Sequence, residues 1–590
     1  MQDIRAMDMQ AVLERAFALH QGGRLAEAEP LYREVLRATP GEFTPQLLLA
    51  ILTSQQGRNS EALELLTAAL ALHPDSDLAL LNHGNVLAAL ERHPEALASY
   101  DRAIALYPGH ADLLNARGVL RISLRRFAEA LTDLDAAVAL NPGLAEAWVN
   151  RGNALQGLGR PGDALASYDR ALDLRPAHVQ THNNRAHVLR RLGRLEEALA
   201  ATDRALALDA GNAQALNDRG NVLQDMNRHA EAIESYSCAL QVRPDYLEAL
   251  NNRGTARQGL MQWNAALADF DRVIALDRDN ALAHWSKSIV KLLTGDIEEG
   301  LRLYEWRKRL PAPIEARNYS QPKWTGAEDI AGKTLFCYIE QGLGDTILFF
   351  RYALMARERG ARVIVSVQDT IVQLMRDAGG DVEILGSTGV PQHFDYHVPL
   401  MSLQLAFGTT RHTIPAPIPY LKAQAERVEK WRARIGANGF RIGICWQGAA
   451  SIAGRSFPLS LLGPISKMEN VRLVSLQKGL GCEQIASAGV AVEESGSDFD
   501  SGNDGFLDTA AVMEIVDLVI TLDTSLAHLA GALGRPVWVA LKFVPDWRWF
   551  LESQQSPWYP RMRLFRQRVS GDWTGVFTDM QAALRAFPHS

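Results

Sequence analysis

The sequence contains few cysteines and no long apolar run. Its four cysteines are scattered, with no C-x-x-C pair and no histidine at metal-ligand spacing, so they indicate neither a disulfide framework nor a zinc site. No apolar stretch reaches the roughly 18 residues of a membrane-spanning helix. The N-terminal residues lack the apolar core of a secretory signal. We therefore expect a cytoplasmic protein without a membrane span.

The net charge of the chain is small. Its 61 basic and 68 acidic side chains give a formal charge of -7 over 590 residues, and the two signs are interleaved along the repeats. That balance favours neither nucleic acid nor an anionic membrane as the main partner. The length is sufficient for a repeat array followed by a two-lobed globular unit.

Proline recurs at a fixed interval in the first half of the chain. The interval is 34 residues, and six positions of this series carry proline: Pro40, Pro74, Pro108, Pro142, Pro176 and Pro244. A period of 34 residues is the signature of the tetratricopeptide repeat, a helix-turn-helix unit that stacks on itself. Proline ends the second helix of each unit, and small residues ten and 22 positions later let the helices approach closely. The sequence thus predicts an α-solenoid over residues 1–310.

A second periodic feature of the repeats is polar. Asparagine stands eight positions after the proline series in four repeats: Asn82, Asn150, Asn184 and Asn252. A further set of asparagines follows three positions later: Asn85, Asn153 and Asn221. Residues three apart share a helix face, so a row of amides is expected along the first helix of each repeat. Because an amide both donates and accepts hydrogen bonds, such a row can hold an extended peptide. Bridging of adjacent repeats is the alternative interpretation.

Beyond the repeats the period is lost and the pattern changes. The stretch 311–331 is punctuated by arginine and proline and predicts a linker. From Lys333 onward, short β-branched runs alternate with helical stretches, which is typical of parallel sheets wound with helices. We therefore predict an α/β domain of two Rossmann-like lobes, 332–425 and 438–590, with a ligand cleft at the carboxyl ends of the strands.

Two motifs fall at predicted strand ends. The first, EQGLGD, places Gly342 and Gly344 in a turn and Asp345 at the start of a helix, where the carboxylate either caps the helix or accepts a proton in the cleft. The second, CWQGAASIAGRSFP, has Gln447 near the end of a strand and Arg455 in the following loop. A guanidinium in that loop either holds a phosphate or is solvated.

A third motif begins where another predicted strand ends. It contains Asp523, Thr524, Ser525 and His528 at the start of a helix. Hydroxyls and backbone amides at a helix N-terminus form an anion site, and His528 can add a donor to a diphosphate. Helix capping and core packing are the alternative roles of these residues.

Together the three motifs resemble those of the ADP-heptose:lipopolysaccharide heptosyltransferases, a family with the two-lobed GT-B glycosyltransferase fold. The resemblance covers residues 333–570. It implies that Asp345 is the general base, that Arg455 binds phosphate and that Asp523 contacts the sugar. The other residues that we predict in the donor site are Gly342, Gly344, Gln447, Thr524, Ser525 and His528.

The chain departs from that family in two places. Ser525 stands where the family has glycine, and an aromatic stretch follows Leu541 in place of a short loop. Its aromatic residues either stack on a sugar ring or pack the domain: Trp547, Trp549, Trp558 and Tyr559. The asparagine-bearing repeats resemble those of the O-linked N-acetylglucosamine transferases, which grip acceptor protein. The whole chain resembles bacterial tetratricopeptide proteins with a heptosyltransferase-like C-terminal domain.

The sequence therefore predicts an inverting glycosyltransferase that uses a nucleotide-diphosphate sugar, no metal and no cofactor. No D-x-D carboxylate pair lies where a metal-diphosphate clamp is expected, since Asp498 and Asp500 lie in a loop rich in glycine and serine. The repeats are expected to recruit a protein or peptide acceptor through their asparagines. A non-catalytic scaffold that retains the fold is the main alternative, and a sugar-nucleotide epimerase is another.

Overall fold

The computed structural model describes residues 2–311, 317–378, 380–450, 454–502 and 505–587. The chain divides into two compact units, of which the first ends at Tyr246 and the second begins at Leu247. Residues 312–316 of the predicted linker and residues 451–453 of the second motif lie outside the described residues. Across the described residues, no helix combines the length and the apolar character that a bilayer span requires.

The first unit is built from helical hairpins. We call the first helix of each hairpin helix A and the second helix B. Their bounds are α1 (Gln2–Gln21), α2 (Leu25–Ala38), α3 (Phe43–Gln55), α4 (Asn59–Leu72), α5 (Asp77–Ala89), α6 (His93–Leu106), α7 (Ala111–Ser123), α8 (Phe127–Leu140), α9 (Ala145–Gly157), α10 (Pro161–Leu174), α11 (Val179–Arg191), α12 (Leu195–Leu208), α13 (Ala213–Asp225) and α14 (His229–Val242). Helix A of one repeat contacts helix A of the next, as α5 contacts α7 and α7 contacts α9.

The proline series marks the ends of the B helices, as the sequence predicts. Helix α4 ends at Leu72 and Pro74 follows it; helix α6 ends at Leu106 and Pro108 follows it. Proline has no N–H to donate to the preceding turn, so the helical hydrogen-bond ladder stops before it.

Glycine recurs in helix A because a ring of helix B lies against it. A Cβ atom on Gly84, Gly152 or Gly220 would lie 2.4 Å from the tyrosine ring of the same repeat, too close for any side chain. These rings belong to Tyr100, Tyr168 and Tyr236, all of them buried. Close packing of backbone against ring therefore fixes glycine at this position of the repeat.

Ion pairs join successive repeats at a constant spacing. Arg151 of α9 pairs with Asp135 of α8 at 2.6 Å, and Arg185 pairs with Asp169 at 2.6 Å. Arg219 and Asp203 repeat the pair at 2.7 Å, again 16 positions apart in the sequence. Sequence reasoning missed this series, although its pattern is visible in the sequence. An arginine stands nine positions after a place in the proline series, and an aspartate stands 16 positions before that arginine.

The second unit starts with four more helices and a 3₁₀ turn. They are α15 (Leu247–Gly259), α16 (Trp263–Leu276), α17 (Ala281–Leu293), α18 (Ile297–Tyr304) and the turn Glu305–Arg309. The strands that follow are β1 (Thr334–Tyr338), β2 (Arg362–Ser366), β3 (Val382–Leu385), β4 (Tyr396–Pro399), β5 (Phe440–Ile444), β6 (Val471–Ser475), β7 (Leu518–Leu522), β8 (Val537–Leu541) and β9 (Met562–Arg566).

Helices connect these strands. They are α19 (Leu343–Glu358), α20 (Val372–Asp377), α21 (Leu403–Ala406), α22 (Ala425–Ile435), α23 (Gly463–Ser466), α24 (Leu507–Ile515), α25 (Ser525–Ala532) and α26 (Trp573–Arg585). Short 3₁₀ turns occur at Asp369–Ile371, Leu400–Ser402, Leu459–Leu462, Cys482–Gln484 and Trp547–Trp549.

The strands form two parallel sheets. The first has the order β3-β2-β1-β4 and the second the order β6-β5-β7-β8-β9. Leu335 is in register with Val363 in the first sheet, and Ile442 with Leu518 in the second. The strands are largely buried, as expected for parallel sheets covered by helices on both faces. The predicted α/β class of the domain after the solenoid is therefore confirmed.

Candidate functional site

A cleft of about 470 Å³ lies at the carboxyl ends of β5, β6 and β7. Residues from all three predicted motifs line it: Leu343, Gln447, Gly448, Thr524 and Ser525. The other residues that line the cleft are Thr370, Cys445, Ala449, Leu476, Gln477, Lys478, Leu480, Asp500, Gly505, Phe506, Thr509 and Leu526. The carboxyl edge of a parallel sheet is where ligands of such domains bind.

The two glycines of the first motif have different surroundings. Gly342 is the N-cap of α19, and its carbonyl accepts a hydrogen bond from the amide of Asp345 at 3.1 Å. A Cβ atom on Gly342 would meet only a carboxylate oxygen of Asp345 at 3.9 Å. On Gly344 it would lie 2.9 Å from Cδ2 of His528, which belongs to the third motif. Gly344 is therefore the position at which the first motif packs on α25.

Asp345 lies in the first turn of α19, where its carboxylate pairs with Arg548 and a hydrogen bond with the backbone of Gly342 also favours the ionised form. The guanidinium of Arg548 also pairs with Asp546 at 2.7 Å, so one cation lies between two carboxylates. Burial raises the pKa of Asp345, while the charge of Arg548 opposes the shift. The carboxylate is thus a stronger base than an exposed aspartate, and an arginine holds it in place.

A second acid–base pair lies in the same region. Asp523, directly after β7, is 3.8 Å from Arg455 of the second motif. Burial and the nearby charge of Asp546 raise the pKa of Asp523 to about 6. The structure thus brings together Arg455 and Asp523, which the sequence analysis predicted separately as phosphate-binding and sugar-contacting residues.

The start of the third motif faces the cleft. Thr524 is the N-cap of α25 and Ser525 its first residue, and both line the cleft. The Thr524 hydroxyl does not cap the first turn of the helix; its nearest partners are the carbonyl of Leu522 and the hydroxyl of Thr521, both at 3.4 Å. The helix N-terminus therefore presents amides and hydroxyls to any anion in the cleft.

His528 lies behind this surface and does not line the cleft. It is only 4% exposed, its ring stacks on Trp549 with centroids 5.1 Å apart, and its Nδ1 lies 3.2 Å from the hydroxyl of Tyr559. Burial and the charge of Arg548 lower the pKa of His528 to about 3. The imidazole is therefore neutral at physiological pH.

A glutamine after β6 supports the second motif. Gln477 accepts hydrogen bonds from the amides of Trp446 at 3.1 Å and Gln447 at 3.0 Å, and it donates to the carbonyl of Gln447 at 3.1 Å. This side chain fixes the backbone at the point where β5 enters the cleft wall. Sequence reasoning missed Gln477. Its signal in the sequence is that two polar residues, Gln477 and Lys478, follow the buried end of β6.

Lys478, the next residue, was missed as well. It is an exposed cation on the cleft wall, and its ammonium donates to the carbonyl of Asp500. Asp500 itself accepts the amide of Asp508 at 2.7 Å and binds the hydroxyl of Thr509, which orders the start of α24. The cleft thus has a basic group at the end of β6.

The aromatic stretch after β8 is packed inside the domain. Trp547, Trp549, Trp558 and Tyr559 are each at most 2% exposed, which supports the packing role rather than sugar stacking. The Trp558 indole donates to the carbonyl of Arg548 at 2.8 Å, and Arg566 donates to the carbonyl of Trp549 at 2.7 Å. These contacts hold the turn that carries Arg548.

A buried arginine connects α19 to the C-terminal segment. The guanidinium of Arg351 donates to the carbonyls of Pro415 at 2.6 Å and Trp558 at 2.8 Å, and to the hydroxyl of Tyr420 at 3.1 Å. Tyr420 lies 3.3 Å from Tyr559, the partner of His528. The first and second sheets are therefore joined by polar contacts that the sequence did not reveal.

The asparagines of the first unit are largely engaged with neighbouring side chains. Asn150 donates to Asn115 at 2.9 Å and Asn184 to Asn153 at 3.1 Å, so each bridges to the previous repeat. The amide of Asn82 donates to the carbonyl of Leu78 at 2.7 Å within its own helix. All three are half-buried and keep an accessible edge. Bridging is thus observed, and peptide binding by the remaining edges stays a prediction.

The second asparagine set supports tyrosine hydroxyls. Asn85 accepts from Tyr100 at 2.7 Å, Asn153 from Tyr168 at 2.7 Å and Asn221 from Tyr236 at 2.9 Å. A buried tyrosine ring leaves its hydroxyl in need of a partner, which this asparagine provides. Asn252 lies on α15 in the second unit, at the repeat position that Asn82 occupies in the first unit. It is half-buried.

Comparison with known proteins shows tetratricopeptide repeats and one curated relative. Protein FlbA of Caulobacter vibrioides is 28% identical over 359 residues, which are 55% of this chain and 59% of FlbA. The chain thus spans less than two thirds of the length of this relative.

Solved tetratricopeptide structures match parts of the chain. YrrB, described as a TPR protein with an unusual peptide-binding site, is 24% identical over 32% of this chain and 97% of its own, with a TM-score of 0.29. A tetratricopeptide repeat protein from Parabacteroides merdae is 19% identical over 42% of this chain and 99% of its own, with a TM-score of 0.35. Likeness at this level says nothing about function.

Family models identify the repeats directly. A model described as tetratricopeptide repeat matches residues 3–43, 47–111, 115–157 and 149–213, and a second one matches residues 213–246. The period read from the sequence and the helical hairpins of the structure agree with these matches. Tetratricopeptide repeats therefore run from residue 3 to residue 246 of this chain.

Proposed function

We propose that the protein is an inverting glycosyltransferase of the GT-B type that takes a nucleotide-diphosphate sugar as donor. One observation carries this proposal. Leu343 of the first motif, Gln447 of the second and Thr524 of the third line a single cleft, although they are far apart in sequence. The cleft lies at the carboxyl edge of a parallel sheet, where such domains bind nucleotides.

The donor diphosphate is placed at the N-terminus of α25. Thr524 and Ser525 offer hydroxyls and backbone amides there, and the helix dipole favours an anion. Arg455, which lies 3.8 Å from Asp523, supplies a guanidinium nearby. In this proposal the nucleoside binds near Lys478 and Phe506, which also line the cleft. The negative charge of the leaving group is thus met by positive groups of the chain.

Asp345 is the base in this account. Its carboxylate takes the proton of an acceptor hydroxyl as that oxygen bonds to the anomeric carbon, and the bond from that carbon to the diphosphate breaks with inversion. Burial raises the pKa of Asp345, which strengthens the base. Arg548 holds this carboxylate. When an acceptor binds, its hydroxyl either replaces Arg548 as the partner of Asp345 or shares the carboxylate with it.

The repeats supply a partner site. Tetratricopeptide arrays bind proteins and peptides on the surface formed by their A helices. The half-buried amides of Asn82, Asn150 and Asn184 lie on A helices of the first unit. We propose that they hold the backbone of a protein or peptide acceptor.

A non-catalytic scaffold is the second candidate, and a specific observation favours it. Asp345 is paired with Arg548, and His528 is turned away from the cleft towards Tyr559. A domain that kept its fold but had lost transfer would also allow such a closed arrangement. If the protein is such a scaffold, we expect it to bind no nucleotide.

Thermal unfolding with a panel of nucleoside diphosphates and their sugars tests the donor site. Ligand at about a hundredfold excess over its Kd stabilises the native state by about 2.7 kcal/mol, which raises the melting temperature by several degrees. The Lys478→Ala variant should lose much of the rise. Its matched control is Lys467→Ala, an exposed lysine of the same sheet region outside the cleft. No rise with any nucleotide would favour the scaffold.

A further inference from the structure

Helix α18 leads into the α/β part of the second unit. After α18, the 3₁₀ turn Glu305–Arg309 carries Arg307, whose side chain is fully buried. Its guanidinium donates to the carbonyl of Tyr304 at 3.1 Å and to the carboxylate of Glu305 at 2.8 Å. A fully buried arginine must have several acceptors, because an unpaired buried charge is strongly destabilising.

The main partner of Arg307 belongs to the first motif. Its other terminal nitrogen donates to Glu340 at 2.5 Å and to the hydroxyl of Ser402 at 2.9 Å. The side chain of Glu340 is only 2% exposed. Glu340 follows β1 by two residues and precedes the turn that leads through Gly342 to Asp345. Arg307 therefore anchors the entrance of the turn on which the candidate base is carried.

Glu305, one of the partners of Arg307, is itself bound by further charged and polar side chains. One carboxylate oxygen of Glu305 accepts hydrogen bonds from Lys308 and Lys323, each at 2.6 Å, and the other accepts from Ser402 at 2.6 Å. Although burial opposes the shift, the charges of Arg307 and these lysines hold the pKa of Glu305 well below its usual range. The carboxylate beside Arg307 is thus ionised, and both of its oxygens accept hydrogen bonds.

The same helix end also contacts the other side of the candidate site. The ring of Tyr304, which is 3% exposed, lies 5.8 Å from that of Trp547, centroid to centroid. Trp547 precedes Arg548, and the guanidinium of Arg548 lies over the Trp547 ring at 4.6 Å. The end of α18 and the turn after it therefore contact Arg548 through Trp547, and they contact Glu340, which stands five positions before Asp345 in the chain.

We propose that Arg307 is a positioning residue of the candidate site, by which the turn after α18 sets the place of Asp345 through Glu340. A buried ion pair contributes little net stability compared with well-packed apolar residues, but a planar guanidinium bound to several acceptors defines one geometry. The role of Arg307 in transfer rests on the proposed function, whereas its role in ordering residues 341–346 does not. This role makes the last helices before the linker a part of the enzyme, and not a separate module that only recruits the acceptor.

Hydrogen exchange of the full-length chain tests the ordering. In Arg307→Met, we expect the amides of residues 341–346 to exchange at least about tenfold faster, while those of β1 and β5 keep their parental rates. The matched control is Arg309→Met, two residues away, which is 63% exposed and pairs with the exposed Asp279 at 3.2 Å. Equal acceleration in all strands would show a merely structural role and overturn the proposal, as would no change at the turn.

Glu340→Gln provides a second variant that keeps the volume and one acceptor oxygen. It should accelerate exchange at the same turn by a smaller factor, so that the proposal stays testable if Arg307→Met does not fold. Where a donor is turned over, both variants should lower kcat, by about tenfold to a hundredfold in Arg307→Met, and leave the donor KM within about twofold. A raised KM with unchanged kcat would contradict positioning. If the parent turns over no donor, the proposed function fails while the exchange experiment still decides the ordering.

Discussion

Gly344 and His528 are in direct contact: a Cβ atom on Gly344 would lie 2.9 Å from Cδ2 of the imidazole. The contact joins the first turn of α19 to α25, and so the first sheet to the second. Because His528 is itself held between Trp549 and Tyr559, it cannot move aside without disturbing the buried aromatic cluster. The missing side chain of Gly344 is thus what allows the two motifs to meet.

Replacing Gly344 should separate the motifs. We expect Gly344→Ala to lower the free energy of unfolding of the second unit by about 1–3 kcal/mol, because an added methyl group overpacks a buried contact. Urea unfolding followed by tryptophan fluorescence measures this, since all tryptophans except Trp148 lie in the second unit. Gly342→Ala is the control and should cost less than about 1 kcal/mol, because the added Cβ meets nothing closer than 3.9 Å. Equal effects of the two substitutions would refute the contact.

The same reasoning applies to the repeats. Gly152→Ala places a Cβ atom 2.4 Å from the ring of Tyr168 and should destabilise the first unit by about 1–3 kcal/mol. Gly162→Ala, in α10, meets no atom within 4 Å and should leave stability unchanged or raise it by up to about 1 kcal/mol. Thermal unfolding followed by far-ultraviolet circular dichroism compares them. A stable Gly152→Ala variant would show that the ring has room to move.

His528 should make stability depend on pH. Its pKa is about 3 in the folded chain and 6.5 in the absence of burial, so between these values the unfolded state binds more protons. Stability is therefore lost as pH falls from 6.5, by up to about 1.4 kcal/mol per pH unit, and does not change through this group above pH 7.

A variant isolates this contribution. Asp523, with a pKa raised to about 6, works in the opposite direction, because its protonated form is favoured in the folded chain. Subtracting the stability of His528→Gln from that of the parent at each pH removes the contribution of Asp523, because both proteins contain it. We expect the two stability curves to converge as pH falls from 7 to 5, and parallel curves would contradict the buried neutral imidazole. His412→Gln, at an exposed position, controls for the loss of an imidazole.

The periodic half of the chain was predictable from sequence because its contacts recur. Proline, glycine and tyrosine each repeat at the spacing that the helical hairpin imposes, so one repeat explains the others. The asparagine rows were seen but their partners were not, since the bond from Asn153 to Tyr168 needs the relative rotation of two helices. The strands of the α/β part were also visible as buried, β-branched runs.

The candidate site was predictable only as separate motifs. The pair of Asp345 and Arg548 joins residues 203 positions apart, and no local pattern marks Arg548 as the partner. Arg307 was included in the predicted solenoid over residues 1–310, because nothing in the sequence shows that its side chain reaches Glu340. Such contacts depend on how the helices and sheets of the second unit pack, and a single sequence does not encode that pairing in its spacing.

Asp345→Asn tests the central claim most directly. Release of nucleoside diphosphate from nucleotide sugars, in the presence of a polypeptide bound to the repeats, should fall by about 10²- to 10⁴-fold, because the amide cannot accept the proton of the acceptor hydroxyl. The nucleotide-dependent rise in melting temperature should persist. Asp369→Asn, at an exposed aspartate in the 3₁₀ turn after β2 that accepts hydrogen bonds from Ser387, should keep the parental rate. Parental release by Asp345→Asn, or no release by the parent from any donor, would contradict the account.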